Sequence, residues 1–321
     1  MIDYAGQQLG NYRLLRLLGQ GGFAQVYLGE HIYLNTQAAI KVLQMQLGDD
    51  EHNSFLNEAR TIAHLIHPHI VRTLEFGVER KIPYLIMDYA PKGSLRQYYS
   101  KGERLPLETV VSYVKQIAAA LQYAHDQNVV HRDVNPRNIL LGQNDEALLS
   151  DFGIALVIQG STSQSTEGNV IGTVAYMAPE QIYGKPGPAS DQYSLATVVY
   201  EWLCGDRPFH GSFTEIMTQQ MMAPPPSILE QGVAIPAEVE EVVMIALSKA
   251  SEERFTGVEA FARALEQASQ LENQGDAKSK PILLHPATLP IVTAPSSQDD
   301  GGETREEGHQ YLTETNTKGD S

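Results

Sequence analysis

The chain has 321 residues, 42% of them hydrophobic and 19% charged, the balance of a folded globular protein rather than a disordered one. Its 23 Lys and Arg stand against 39 Asp and Glu, a formal charge of −16. That excess of acid excludes nucleic acid as an expected partner, because binding a phosphate backbone needs clustered cations.

Residues 1–11 read as a short leader with no basic and apolar signal segment. Strands are expected at Tyr12 to Leu18, Gln25 to Glu30 and Gln37 to Leu43, short runs rich in apolar and β-branched residues between turn-forming segments. Asp50 to Ile66 carries Phe55, Ile62, Leu65 and Ile66 at helical spacing, with Pro68 beyond it as a stop. Two more strands are expected near Leu74 to Glu79 and Tyr84 to Asp88, which makes a small lobe of five strands and one helix.

After Gly93 the pattern turns helical. Val110, Val111, Val114, Ile117, Leu121 and Ala124 form one apolar stripe. Further helices are expected at Asp191 to Leu203, Thr214 to Met222, Ala237 to Ala250 and Gly257 to Leu271, the last with Thr256 and Glu259 at capping-box spacing. The single cysteine, Cys204, cannot form an internal disulfide and ends an apolar helix, so it reads as a structural thiol in a reducing, cytoplasmic setting. From 271 to 321 the chain turns to Gly, Ser, Thr, Pro and acidic residues with a net charge of −5, and reads as a disordered tail. Nowhere is there a run of about 18 apolar residues, so no membrane span is expected.

Three polar constellations carry chemistry. Gly19-Gln20-Gly21-Gly22-Phe23-Ala24-Gln25-Val26 joins two strands, where glycines let backbone N–H groups approach phosphate oxygens. By itself such a hairpin is an ordinary turn. It does not lead into a helix, as a dinucleotide fold requires. Lys41, in Ala39-Ile40-Lys41, is a strand lysine flanked by apolar residues and followed by a helix carrying Glu58. The third stretch, His131-Arg132-Asp133-Val134-Asn135-Pro136-Arg137-Asn138, puts an aspartate and an asparagine five apart in a polar loop, with Asp151-Phe152-Gly153 beyond. Asp and Asn commonly just cap turns. Phosphoryl transfer, though, needs an acceptor to orient a hydroxyl and oxygens to hold Mg²⁺, and these residues supply both.

Together these segments resemble the eukaryotic-type serine/threonine protein kinases, including bacterial ones, over about Tyr12 to Gln270. The resemblance implies an α+β bilobal fold with a small lobe at 12–87, a hinge at 88–92 and a mainly helical lobe at 93–270. It implies transfer of the ATP γ-phosphoryl group to protein Ser and Thr hydroxyls, with Mg²⁺, or alternatively Mn²⁺, as the metal. Lys41 would contact the α- and β-phosphates and pair with Glu58. Asp133 would take the hydroxyl, Thr173 would bond toward it, and Asn138 with Asp151 would hold the metal. The nucleotide would lie against Leu18, Gly19, Gln20, Gly21, Gly22, Phe23, Ala24, Val26, Ala39 and Leu140. Met87 would guard the adenine pocket, and the backbone of Asp88 and Ala90 would meet the adenine edge.

The pattern departs from the family in places. Ala24 stands at the third glycine position. Asn135 stands where serine/threonine kinases carry lysine, and losing such a charge could cost about 10²–10³ in rate. Arg137, four residues after Asp133, is expected to supply the missing cation. A Ser/Thr-rich loop, Ser161 to Thr166, offers Thr162 or Thr166 as phosphorylation sites that would pair with Arg132. Gly172 to Glu180 resembles the substrate-docking end of that segment in serine/threonine kinases. Arg254 is expected to pair with Glu180, and Ser251 replaces the family's nearby proline.

The alternatives are a pseudokinase that binds nucleotide without transfer, to which Asn135 points, and a small-molecule phosphotransferase, against which Ala178-Pro179-Glu180 argues. Sensor modules common in bacterial relatives have no counterpart here, so an upstream partner is expected to supply the activating signal.

Overall fold

The computed structural model describes residues 3–21, 24–43, 60–79, 81–152 and 174–271. Strands β1 (Gln8–Leu9), β2 (Tyr12–Gln20), β3 (Ala24–His31), β4 (Gln37–Leu43), β5 (Thr73–Glu79) and β6 (Ile82–Met87) form one antiparallel sheet in the order β1-β2-β3-β4-β6-β5. The expected five strands are thus six. The additional pair, Gln8 and Leu9 against Arg13 and Tyr12, is too short to show a period in sequence.

Alternation along the strands divides the sheet into two faces. Ala24, Ala39, Leu43, Leu85 and Met87 point to one side and join the core of the helical lobe. Tyr12, Leu14, Tyr27, Ile40, Val42, Tyr84 and Ile86 form a separate cluster on the other. Tyr4 and Leu9 of the expected leader close that second cluster. Tyr4 also donates its backbone N–H to the Tyr27 hydroxyl at 3.1 Å, satisfying a fully buried phenol. Each large apolar side chain so buried contributes about 1.5–3 kcal/mol.

Residues 60–63 are helical, the end of the helix expected from Asp50, whose earlier residues lie outside the described ones. Ile62 and Leu65 are buried as the pattern predicts, but Ile66 lies beyond the helix end and is exposed.

The helical lobe holds α1 (Leu95–Tyr98), α2 (Leu107–Asp126), α3 (Pro179–Ile182), α4 (Pro188–Cys204), α5 (Phe213–Met222), α6 (Ala237–Ala246) and α7 (Val258–Gln270), with a two-stranded ribbon of β7 (Ile139–Leu141) and β8 (Ala147–Leu149). All six stripe residues of α2 are buried. Helix α4 is buried on every side, as a central helix must be, and its polar residues are paired. Ser194 Oγ donates to Tyr176 O at 2.7 Å, and the Gln192 amide both donates to and accepts from the Phe255 backbone. Burial pushes the Cys204 thiol up to about 11, fitting a structural role.

The cap expected from Thr256 is not formed: Gly257 is the N-cap of α7 and makes no side-chain bond. A reciprocal capping box does close α5, where Ser212 and Glu215 exchange bonds. Helix α6 stops at Ala246 rather than running on to Ala250. Among the described residues no helix is long and apolar enough to cross a membrane.

Candidate active site

Sheet register sets the first half of the site. Gly19 pairs with Val26, Val26 with Lys41 and Lys41 with Leu85, so the glycine-bearing strand end and the lysine lie on one line across the sheet. Ala39 pairs with Met87 in the neighbouring line. Ala24, Ala39 and Met87 are buried, with Leu18, Val26 and Leu140 packed against the same apolar cluster. Beyond Met87, Asp88 donates its N–H to Arg72 O at 3.0 Å, and the Ala90 carbonyl accepts from Gly93 N at 3.3 Å. Among the described residues this leaves the Asp88 carbonyl and the Ala90 N–H without partners, one acceptor and one donor. Gln20 and Gly21 are exposed at the end of β2. Gly22, Phe23, Glu58, Thr173 and the Ser161–Thr166 stretch lie outside the described residues.

The second half is the loop between α2 and β7. His131 is fully buried and packs against Phe152, the rings tilted at 58° with centroids 4.5 Å apart. Its Nδ1 accepts from Asp133 N at 3.2 Å, so Nε2 carries the proton and donates to Ser150 O at 2.8 Å. Ser150 in turn donates through N and Oγ to Asn138 O, at 2.8 and 3.0 Å. The residue next to Ser150 is Asp151, whose Oδ1 meets Lys41 Nζ at 2.7 Å. In this way Lys41, Asp133, Asn138 and Asp151 are joined by a short chain of contacts.

Asp133 accepts at both carboxylate oxygens, from Asn135 Nδ2 and Asn138 Nδ2, each at 2.8 Å. The same two amides also reach its backbone carbonyl, at 3.0 and 2.9 Å. Burial pushes the Asp133 carboxyl above its ordinary value, against the pull of the two amides. Asn135 is itself buried, and its Oδ1 accepts from Arg137 N at 2.9 Å. The Arg137 side chain is exposed and pairs with no described residue.

Asp191 is a site residue whose role the sequence did not disclose. Fully buried in the first turn of α4, its Oδ2 accepts from His131 N and Oδ1 from Arg132 N, both at 2.8 Å. His125 Nε2 donates to Oδ2 at 2.7 Å. This carboxylate clamps a loop 60 residues upstream, and no local spacing could signal that. Two residues take left-handed backbone conformations here, Arg132 at φ 68° and Asp151 at φ 67°, strain of the kind that gathers at functional sites.

Asn138 Oδ1 and Asp151 Oδ2 receive no hydrogen bond from a described residue. Two such oxygens suit a hard divalent cation that completes its shell with water and phosphate oxygens. No cluster of three or more His, Cys, Asp or Glu that could hold a metal exists among the described residues.

At α3, Arg254 NH1 and NH2 meet Glu180 Oε1 and Oε2, each at 2.8 Å, as expected. Tyr176 donates to Glu201 at 2.5 Å, and Arg96 reaches both, at 2.7 and 2.6 Å.

Comparison with known proteins gives one family, described as protein kinase domain, matched over residues 12–267. The serine/threonine-protein kinase PrkC of Bacillus subtilis is 35% identical over 244 residues, which cover 75% of this chain and 38% of that protein. Pkn1 of Myxococcus xanthus is 35% identical over 272 residues, covering 82% and 39%. PknA of Mycobacterium tuberculosis is 36% identical over 264 residues, covering 80% and 61%. The chain thus spans about two fifths of the length of the first two of these relatives. Matched from its first long strand to its last helix, the chain belongs to the protein kinase family and is similar to the bacterial serine/threonine kinases.

Proposed function

We propose that this chain transfers the γ-phosphoryl group of ATP to Ser and Thr hydroxyls of proteins, itself included. The observation that carries the reading is the chain of contacts from Asp133 through Asn138 and Ser150 to Asp151 and Lys41. It supports one place where a hydroxyl, a metal and phosphates would meet.

In this reading Asp133 accepts the incoming hydroxyl's hydrogen bond and orients its oxygen toward the phosphorus. Asn135 and Asn138 keep that carboxylate in place. Lys41 supplies a cation to the phosphates, and the Asp88 carbonyl and Ala90 N–H supply the acceptor and donor that an adenine edge requires. Leu18, Val26, Ala39, Met87 and Leu140 offer an apolar bed for the base. Protein kinases use ATP with a divalent metal; Asn138 and Asp151 would hold it, with Mg²⁺ the ion named here and Mn²⁺ its alternative. When bound, the metal neutralises charge on the phosphates.

Arg137 supplies the cation that Asn135 does not, and Arg132 receives a phosphate on Thr162 or Thr166. Glu58 and Thr173 keep their expected roles beside Lys41 and Asp133. Ser/Thr preference rests on Val174 to Glu180, which lack the proline-containing pattern of tyrosine kinases. An upstream regulator and a cytoplasmic site of action complete the reading. The pseudokinase alternative finds no support among the relatives, which are named as serine/threonine-protein kinases.

Incubation with radiolabelled ATP and a generic protein substrate tests the reading, with Asp133→Asn as control. Label on Ser and Thr in the wild type alone is expected. Equal label in both would overturn it.

A further inference from the structure

We propose that Gln181 is a positioning residue for the catalytic loop, acting through the backbone carbonyl of Arg132. The inference rests on the phosphotransfer reading above and assigns that chemistry one more residue.

Gln181 directly follows Glu180 in α3. Glu180 is fixed by the buried Arg254 and by Ser190 Oγ, which donates to it at 2.8 Å. From that anchored turn the Gln181 amide donates Nε2–H to Arg132 O at 2.6 Å. Arg132 is the left-handed residue immediately before Asp133. Its N–H is already held by Asp191. The two peptide units that flank Arg132 are therefore gripped, the first from α4 and the second, which leads into Asp133, from α3. A left-handed non-glycine residue is strained and persists only where its surroundings over-determine it.

The other end of the same amide shows that this contact is not a by-product of packing. Among the described residues, Gln181 Oε1 is buried and has no hydrogen-bond partner, and Arg132 Nε is buried without one as well. A buried acceptor left unmade is unfavourable, and such groups call for a reason. Turning the amide over would bring Oε1 against the Arg132 carbonyl, two acceptors facing one another. Only the observed orientation serves the loop, and the protein tolerates an unsatisfied oxygen to keep it.

This separates stability from turnover. Methionine has glutamine's length and shape but neither donor nor strong acceptor. Gln181→Met removes the unsatisfied oxygen together with the donor to Arg132 O, so a purely structural glutamine would be replaced at a lowered Tm with kcat of the folded enzyme unchanged. A positioning residue would lose kcat instead. The expected result is a kcat for a protein substrate lower by about ten- to a hundredfold. KM for ATP should stay within about twofold, since Lys41 and the hinge are untouched. Any fall in Tm should be too small to unfold the variant at the assay temperature, and the kcat deficit should persist at a lower one.

A Met variant with wild-type kcat overturns the assignment while leaving the function intact. So does a deficit that vanishes on cooling, which would mark a fold defect. A wild type without any transfer overturns the functional reading itself, and this assignment with it.

Discussion

Arg254 and Glu180, 74 residues apart in sequence, meet as a two-pronged pair in which each terminal guanidinium nitrogen lies 2.8 Å from a carboxylate oxygen. The arginine is 2% exposed, and its remaining hydrogen bonds go to the carbonyls of Ser248, Ala189 and Lys249. A buried cation with every donor used is stable only as a set. It fixes α3 against the loop before α7.

Removing one partner should therefore be costly. Arg254→Ala should lower stability by about 3–5 kcal/mol, read from chemical denaturation at neutral pH, because it leaves a carboxylate half-buried and unpaired. A loss within experimental error of zero would show that the pair is ornamental to the fold. Burial alone would raise the Glu180 carboxyl, but Arg254's hydrogen bonds and charge outweigh it and hold the group below the usual range. With the folded value depressed, the stabilisation is complete above the unfolded value and drains away as pH falls through the folded one. Glu180→Gln should flatten that acid limb.

Gly205 closes α4 in the left-handed region at φ 81°, with its N–H donating to Glu201 O at 2.8 Å. A Cβ placed there would lie 2.6 Å from the Gly102 backbone carbonyl oxygen, which cannot swing aside as a side chain would. Gly205→Ala should cost about 1–3 kcal/mol for the backbone conformation, plus the clash. Gly184 provides the control. It has φ 75° and open space around its missing Cβ, so Gly184→Ala should show the conformational cost alone. Equal losses at the two positions would remove the steric argument.

Much of this was legible before any coordinates. A short apolar run between turn-forming segments marked β4 at its true ends, because both faces of that strand are buried, against different clusters. The apolar stripe of α2 was readable because one face of a long helix meets a continuous core. What escaped was short or distant. Gln8 and Leu9 pair over too few residues to show a period, and Gly257 caps α7 with no side chain to announce it. The grip of Asp191 on His131 and Arg132 spans 60 and 59 residues and exists only once α4 is packed. The ion pair of Lys41 with Asp151 is likewise a product of the two lobes meeting, whereas the sequence offered only Glu58 as its partner.

Arg137 offers a cation in the right loop but from an exposed side chain, while its backbone N–H is anchored on Asn135 Oδ1. Arg137→Ala should reduce kcat by about tenfold, less than the 10²–10³ of a buried donor because solvent and salt screen the charge. ATP affinity and Tm should not move, and wild-type kcat should decline with added salt more steeply than that of the variant. Parallel salt curves, or an unaltered kcat, would reject the role.

Asn135 and Asp133 give the most discriminating pH experiment. Burial pushes the Asp133 carboxyl up; the neighbouring His131 imidazole and the Asn138 bond pull it back, Asp151 adds to the rise, and Asn135 again lowers it. The group must be ionised to accept a hydroxyl proton, so the acid limb of kcat should lie above the ordinary carboxylate range. Its linkage to stability is opposite to that of Glu180: the folded state holds this proton more tightly than the unfolded one, so the group favours folding as pH falls. Asn135→Ala removes a donor to Oδ1 and should move the limb to still higher pH. Asn135→Lys replaces that donor with a full charge, so the limb should move down. The added cation beside the transferring phosphoryl group should also raise plateau kcat by up to about 10²-fold. If neither substitution displaces the limb, Asp133 is not the titrating group, and its place at the centre of the transfer step would have to be given up.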